Sequence, residues 1–120
     1  MHLAKASALL LPVALAVATG CGSAAVPASQ VSETQATIRA AQEIGAERTP
    51  RAAMHLKMAR DQSQYARALA ADGDTVEAWY FLRRAEADAD LAIAITREAE
   101  MQRKAAQAKQ RTAELRESAE

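Results

Sequence analysis

The sequence predicts an all-α fold: an antiparallel three-helix hairpin with a short helix 1, a helix 2 and a long C-terminal helix 3. Half of the 120 residues are hydrophobic, and more than half of those are alanine, a strong helix former. Apolar residues recur at alternating steps of four and three along two long segments, which is helical spacing. Residues that start and end helices separate these segments. Together these observations predict alanine-rich packing similar to a coiled coil.

The start of the chain has the three parts of a secretory signal peptide. Lys5 supplies a positive charge, residues 6–18 are almost all apolar, and small residues follow. The apolar run is shorter than the roughly 20 residues that cross a bilayer, which favours a cleaved leader over a transmembrane helix. We therefore expect a signal peptide over residues 1–20, a tether over residues 21–30 and a helical domain over residues 31–120.

Helix 1 is predicted to begin after the tether, because residues 22–29 are small, uncharged and interrupted by Pro27. Ser32 with Gln35 fits a capping box at the start of this helix. The helical spacing then runs through Val31, Thr34, Ile38, Ala41 and Gly45.

The other two helices are predicted from their ends. Thr49 is a candidate cap for helix 2, and Pro50 suits the first helical position, where an N–H group has no partner to lose. Gly73 can adopt the left-handed conformation that ends a helix. Asp74, with Glu77 three residues later, is then expected to cap helix 3 through a capping box.

A stripe of mainly small residues is expected to form the contact between helices 2 and 3. Alanine at such positions lets the two backbones approach closely, but each contact buries little apolar area, so the predicted core is thin. The stripe in helix 2 comprises Ala52, Leu56, Ala59, Ser63, Ala66 and Ala70. The stripe in helix 3 comprises Ala78, Leu82, Ala85, Ala89, Ala92, Thr96 and Ala99.

Most of the aromatic residues follow the predicted turn. Folding helix 2 back on helix 3 about Gly73 places Tyr65 near Tyr80 and Phe81. Three consecutive aromatic residues on a helix fan across about 200°, so they cannot all face one neighbour. We expect Phe81 to face inward. Trp79 and Tyr80 then have two interpretations, a packing cluster near the turn or an exposed hot spot that binds a partner.

The C-terminal part of helix 3 is expected to project without intramolecular cover. Helix 2 begins at Pro50, so it covers helix 3 only to about Thr96, and residues 97–120 contain no helix breaker. Met101 and Leu115 are the only large apolar residues of this segment and are candidate partner contacts. The alternatives are a solvated, fraying helix and a coiled-coil arm that pairs with itself or with another protein.

Composition and motifs favour a non-enzymatic protein with no cofactor and no metal site. Lysine plus arginine and aspartate plus glutamate are balanced at 15 each, which is not the charge pattern of a nucleic-acid-binding protein. His55 is the only histidine after the leader, and we expect it to lie on the flank of helix 2. The acidic residues Glu86, Asp88 and Asp90 are expected on a solvated face, with Asp88 paired to Arg84 four residues earlier.

The end of the leader resembles a bacterial lipobox, in which Ala18 stands where the usual pattern prefers leucine and Cys21 closes the motif. The resemblance implies that Cys21 is acylated and becomes the first mature residue, so that the protein is held in a membrane by lipid. Gly22 follows, where an aspartate commonly retains such lipoproteins in the inner membrane. The implied location is the outer membrane, facing the periplasm. The alternative is a cysteine near an ordinary cleavage site by chance.

The helical region also resembles a known family. The segments from Ala66 to Asp74 and from Ala85 to Ala92 are similar to the helical lipoproteins grouped as domain of unknown function 4398. This resemblance implies a small envelope protein and no assigned activity. A weaker similarity, of Trp79 and Leu82 to a tetratricopeptide motif, lacks the recurring period of that family.

Two functions follow as expectations. The first is a structural or adaptor lipoprotein, anchored through Cys21, whose C-terminal helix meets an envelope protein or a second copy. The alternative is a tetratricopeptide-like hairpin that captures a peptide or a small apolar ligand near Trp79 and Tyr80.

Overall fold

The computed structural model describes residues 25–120, and this part of the chain consists of helices and short connections, with no β-strand. Helix α1 spans Ala28–Glu43, a short 3-10 helix spans Ala46–Arg48, α2 spans Pro50–Asp72 and α3 spans Thr75–Glu117. The predicted all-α three-helix hairpin is therefore confirmed. The signal peptide, Cys21 and the first part of the tether lie outside the described residues.

Helix α1 begins earlier than the sequence predicted. Pro27 stands at its N-cap, and the Pro27 carbonyl accepts hydrogen bonds from the backbone N–H groups of Gln30 and Val31. The prediction of Ser32 as the cap is wrong: Ser32 lies inside the helix, where its hydroxyl donates to the Ser29 carbonyl at 2.7 Å. The first residues of α1 are exposed, so water can satisfy their free N–H groups and no capping side chain is required there. Three residues assigned to the tether therefore belong to α1.

The connection from α1 to α2 turns at Gly45, which the sequence analysis placed within the helical repeat. That placement is wrong, because Gly45 has a φ angle of 78° and the helix ends two residues earlier. A side chain at this position would also overlap the guanidinium of Arg48. Thr49 is extended and Pro50 starts α2, as predicted, although the Thr49 side chain forms no capping hydrogen bond.

The turn between α2 and α3 is a Schellman motif, in which Gly73 has the predicted left-handed conformation with a φ angle of 90°. The Asp74 N–H donates to the Leu69 carbonyl at 2.9 Å, and the Gly73 N–H donates to the Ala70 carbonyl at 3.3 Å. Asp74 holds the N-cap position of α3, but its carboxylate forms no capping hydrogen bond, so that part of the predicted capping box is wrong. The backbone bonds of the Schellman turn already hold the chain in place.

Replacing Gly73 by alanine is expected to lower the free energy of unfolding by about 1 kcal/mol, because an L-residue is strained in the left-handed conformation. A Cβ atom at this position meets no other atom within 4 Å, so the cost is confined to the backbone. Asn tolerates this conformation better, so Gly73→Asn should lose less. Urea unfolding followed by circular dichroism measures both changes, and equal stability of the alanine variant and the parent would contradict the assigned turn.

The core lies along the predicted stripes, except that Ala70 and Ala99 are not buried. Ala70 is exposed and Leu69 is buried in its place, because the larger side chain removes more apolar surface from water beside the turn. Among the buried residues, Leu56 and Leu82 are the largest fully buried apolar side chains. The remaining buried members of the two stripes are Ala52, Ala59, Ser63 and Ala66 in α2 and Ala78, Ala85, Ala89, Ala92 and Thr96 in α3.

The register of the hairpin places the start of the described residues and the C-terminus of α3 at opposite ends of the helical body. The rings of Tyr65 and Phe81 meet edge to face with centroids 4.7 Å apart, as the fold about Gly73 predicted. Helix α1 is antiparallel to α2 and parallel to α3, with the Gln30 amide donating to the Glu86 carboxylate at 3.1 Å. The chain therefore enters the body near the Gly73 turn and leaves it at the far end of α3.

Candidate functional site

The candidate contact residues predicted from the sequence form two separate surfaces. Trp79 and Tyr80 lie beside the Gly73 turn, and Met101 and Leu115 lie on the distal part of α3. Trp79 and Met101 are about six helical turns, or roughly 33 Å, apart on one continuous helix. The fold therefore does not combine them into one site, and each surface is described by itself.

The first surface, here called the tip patch, consists of Val76, Trp79 and Tyr80. These residues are spaced i, i+3 and i+4, so they share one face of α3. Their exposed fractions are 84%, 48% and 54%. Phe81, in contrast, is partly buried between Tyr65 and Tyr80. Phe81 therefore packs at the turn, and the tip patch faces outward.

An open groove of about 960 Å³ borders the tip patch and is here called the tip groove. One wall is the start of the described chain, residues 25–27, and the other wall contains the Gly73 turn and the tip patch. The guanidinium carbon of Arg84 lies 5.8 Å from the ring centroid of Tyr80. Cation–π contact of this kind orients the Tyr80 ring at the edge of the patch.

The second surface is the segment of residues 97–120, here called the arm. Every residue from Met101 onward is exposed, and Met101 and Leu115 have exposed fractions of 66% and 64%. Thr96 is the last buried residue before the arm. The helix nevertheless continues to Glu117 as one element. From Met101 onward the arm thus presents a helical surface without intramolecular cover, as the sequence predicted.

Local side-chain pairs hold the arm helical. The Lys104 ammonium lies 3.0 Å from the Glu100 carboxylate, one turn earlier. This hydrogen bond, together with the positive charge of Lys104, lowers the pKa of Glu100. The Gln110 amide likewise donates to Glu114 at 3.1 Å. Pairs at this spacing favour the helical conformation, and the arm also continues the packed part of α3 without a break.

A polar cluster between α2 and α3 was not recognised from the sequence. Asp88 is expected above to pair with Arg84, but the structure contradicts this. The Asp88 carboxylate instead contacts the Nδ1 atom of His55 at 2.9 Å and accepts a hydrogen bond from the Gln62 amide at 2.8 Å. The side chains of His55 and Asp88 are only 15% and 16% exposed. The sequence did contain a signal for these contacts. Folding α2 back on α3 about Gly73 places Asp88 within about one turn of both His55 and Gln62.

The polar cluster joins α2 to α3 through side-chain contacts. Asp88 contacts His55 and accepts from Gln62, two residues of α2 that lie about two turns apart, so it links α3 to α2 beside the alanine stripe. The Gln62 carbonyl oxygen is buried without a partner among the described residues, which leaves one acceptor unsatisfied. No group of three or more histidine, cysteine or acidic residues in residues 25–120 has metal-binding geometry. Glu86 is also partly buried and contacts Arg83 and Gln30, so it too differs from the expected solvated residue.

Replacing Asp88 by alanine is expected to lower the free energy of unfolding by about 1–3 kcal/mol, because it leaves the partly buried His55 and Gln62 groups unpaired. Asp90→Ala is the matched control, since Asp90 is exposed on the same helix and should change stability by less than about 0.5 kcal/mol. Urea unfolding of both variants gives the comparison. Equal changes in the free energy of unfolding for the two variants would show that the contacts of Asp88 with His55 and Gln62 add nothing to stability.

Comparison with protein-family models, with curated proteins and with solved structures gives no match to this chain. The resemblances described above therefore rest on the residues that carry them. Within residues 25–120, each helix is either too short or too polar to span a bilayer.

Proposed function

We propose that this chain is a helical lipoprotein of the bacterial cell envelope. Cys21 carries the lipid that holds it in the outer membrane, and the arm contacts another envelope component in the periplasm. In this role the protein is a structural or adaptor element and not an enzyme. The observation that carries the proposal is the exposed arm.

The geometry of the arm supports contact with a partner. The segment has exposed Met101 and Leu115 on an otherwise polar helix. They lie on a heptad-spaced stripe that fits the coiled-coil interpretation of the arm: Met101, Ala105, Ala108, Thr112, Leu115 and Ala119. A helix presenting such a stripe binds by packing against a second helix or in a groove.

The direction of the chain supports the anchoring part of the proposal. The described residues begin beside the Gly73 turn, and the arm leaves the body at the other end. At about 1.5 Å per residue, the 21 residues of the arm that belong to α3 extend roughly 31 Å beyond the packed region. A lipid near the start of the chain would therefore leave the arm free to reach away from the membrane.

In-cell photo-crosslinking tests the proposal. A photoreactive residue at Ala108 is expected to give a discrete adduct with another envelope protein, identified by mass spectrometry. The matched control is the same probe at Ala94, which is exposed on the packed part of α3 and should give no such adduct. Self-adducts alone would indicate a homo-oligomeric spacer, and equal labelling from both positions would contradict a specific role for the arm.

A binding module is the second candidate function, and the tip groove is the observation that favours it. Its volume of about 960 Å³ is within the range of small-molecule and peptide sites. Trp79 is the only tryptophan in the chain, so its fluorescence reports directly on this site. A saturable change in emission on titration with an extended apolar peptide would favour the module, and an unchanged spectrum would count against it.

A further inference from the structure

We infer that the tip patch docks on the lipid bilayer that holds the anchor, so that the helical body stands on the membrane through Val76, Trp79 and Tyr80. The inference rests on the proposed lipid anchor and adds a second, non-covalent contact to it. The partner is the interfacial region of a bilayer, where acyl chains meet headgroups.

The first argument is that no helix in the described part of the chain covers this face of α3. Gln30 of α1 is level with Glu86 of α3, as their hydrogen bond shows. Helix α1 begins at Ala28, so about nine residues at the start of α3 extend past it, a distance of roughly 13 Å. The tip patch lies on this protruding part. The overhang explains why three apolar or aromatic residues on one face are exposed together.

The second argument is the length of chain between the body and the anchor. Cys21 precedes Pro27 by six positions. Six residues span at most about 20 Å, whatever their conformation, which exceeds the overhang of α3. A lipid on Cys21 can therefore enter the bilayer while the tip patch rests on its surface. In contrast, Leu115 lies about 48 Å along α3 from the level of Pro27. When the body stands upright, this distance exceeds the reach of the segment and keeps Leu115 away from the bilayer.

The third argument is the residue chemistry of the patch. Trp and Tyr are enriched where membranes meet water, because each ring has an apolar body and one polar group. The neighbouring charged residues of the turn are Asp72, Asp74 and Glu77, all exposed. Arg83 and Arg84 lie one turn further along α3, so the patch has no excess of positive charge and attraction to anionic lipids is not the driving force. The patch therefore fits a shallow contact with zwitterionic lipid, driven by the burial of apolar surface.

The test uses the full lipidated protein, purified from bacterial membranes and reconstituted in phosphatidylcholine vesicles. Flotation first shows whether the protein stays with the vesicles. Because Trp79 is the only tryptophan, its emission can then be measured with brominated lipids, which quench from the acyl-chain side, and with iodide, which quenches from water. We expect a blue-shifted emission, a loss of intensity in brominated vesicles and protection from iodide.

Two variants serve as controls. The double variant W79F/L115W moves the single indole to the exposed arm, where we expect full quenching by iodide and none by brominated lipid. The double variant V76S/Y80S keeps Trp79 as the reporter and removes the other two members of the patch. Because both side chains are exposed, the fold should persist, and the loss of intensity in brominated vesicles should be smaller.

The outcomes separate docking from anchoring. A protein that floats with the vesicles, yet has Trp79 open to iodide and insensitive to brominated lipid, would overturn docking and leave the anchor intact. Lipid-phase quenching of both indole positions would also overturn it, because the body would then lie flat. An unchanged signal in V76S/Y80S would contradict the role of the patch. A protein that does not float would overturn docking together with the anchor on which it rests.

Discussion

Leu56→Ala is expected to lower the free energy of unfolding by about 2–5 kcal/mol, the usual cost of removing a buried leucine side chain. Leu56 has an exposed fraction of 0% and lies in the cluster that joins α1, α2 and α3, with Ile38, Ala89, Ala92 and Ile95. Its neighbours are mainly alanine, which cannot move inward to fill the space. A small domain has a total stability of about 5–15 kcal/mol, so this one change removes a large share of it.

The matched control for Leu56→Ala is Leu115→Ala, the same substitution on the arm. Leu115 is 64% exposed, so its loss should change stability by less than about 0.5 kcal/mol. Thermal and urea unfolding, followed by circular dichroism, measure both variants. Similar values for the two would contradict the division of α3 into a packed part and an uncovered arm.

Ala89→Leu is expected to destabilise the protein by about 1–3 kcal/mol or more, for the opposite reason. Ala89 is fully buried in the stripe of α3, within the cluster that also contains Leu56 and Ala59. The alanine stripe sets a short distance between the helices, and three additional heavy atoms fit only if α2 and α3 move apart. That movement would also lengthen the contacts of Asp88 with His55 and Gln62.

Ala108→Leu is the control for this second change. Ala108 is exposed on the arm, and leucine and alanine are both good helix formers, so stability should change by less than about 0.5 kcal/mol. Unfolding curves decide the comparison. An Ala89→Leu variant as stable as the parent would show that the stripe tolerates larger side chains, which would contradict close helix packing.

Predictions of helix ends are correct where they rest on a backbone property and wrong where they rest on residue type or spacing alone. Gly73 and Pro50 were located correctly because each has a backbone property, φ freedom or a fixed φ, that acts within a few residues. Ser32 was interpreted as a cap because of its residue type, but a serine can equally donate to a carbonyl within a helix. Gly45 fitted the helical spacing, yet its left-handed conformation ends α1. Spacing alone cannot separate a small residue in a stripe from a glycine in a turn.

The candidate surfaces divide in the same way. The exposure of Met101 and Leu115 is predictable from the length of α2, because α2 is too short to cover the end of α3. The outward direction of Trp79 depends instead on where α1 starts relative to α3, which no local pattern of the sequence contains. The partners of Asp88 depend on the same kind of register, and the nearer candidate Arg84 was wrong.

The helical fold, the position of the hairpin turn and the uncovered end of α3 are all predictable from the sequence. Helix propensity, turn conformation and apolar spacing are local properties, and the length of α2 limits how much of α3 it can cover. The overhang of α3 at the tip patch and the contact of Asp88 with His55 are visible only in the packed structure. Both depend on the axial offset between helices, which is set by how alanine stripes pack across the whole interface and not by any one residue.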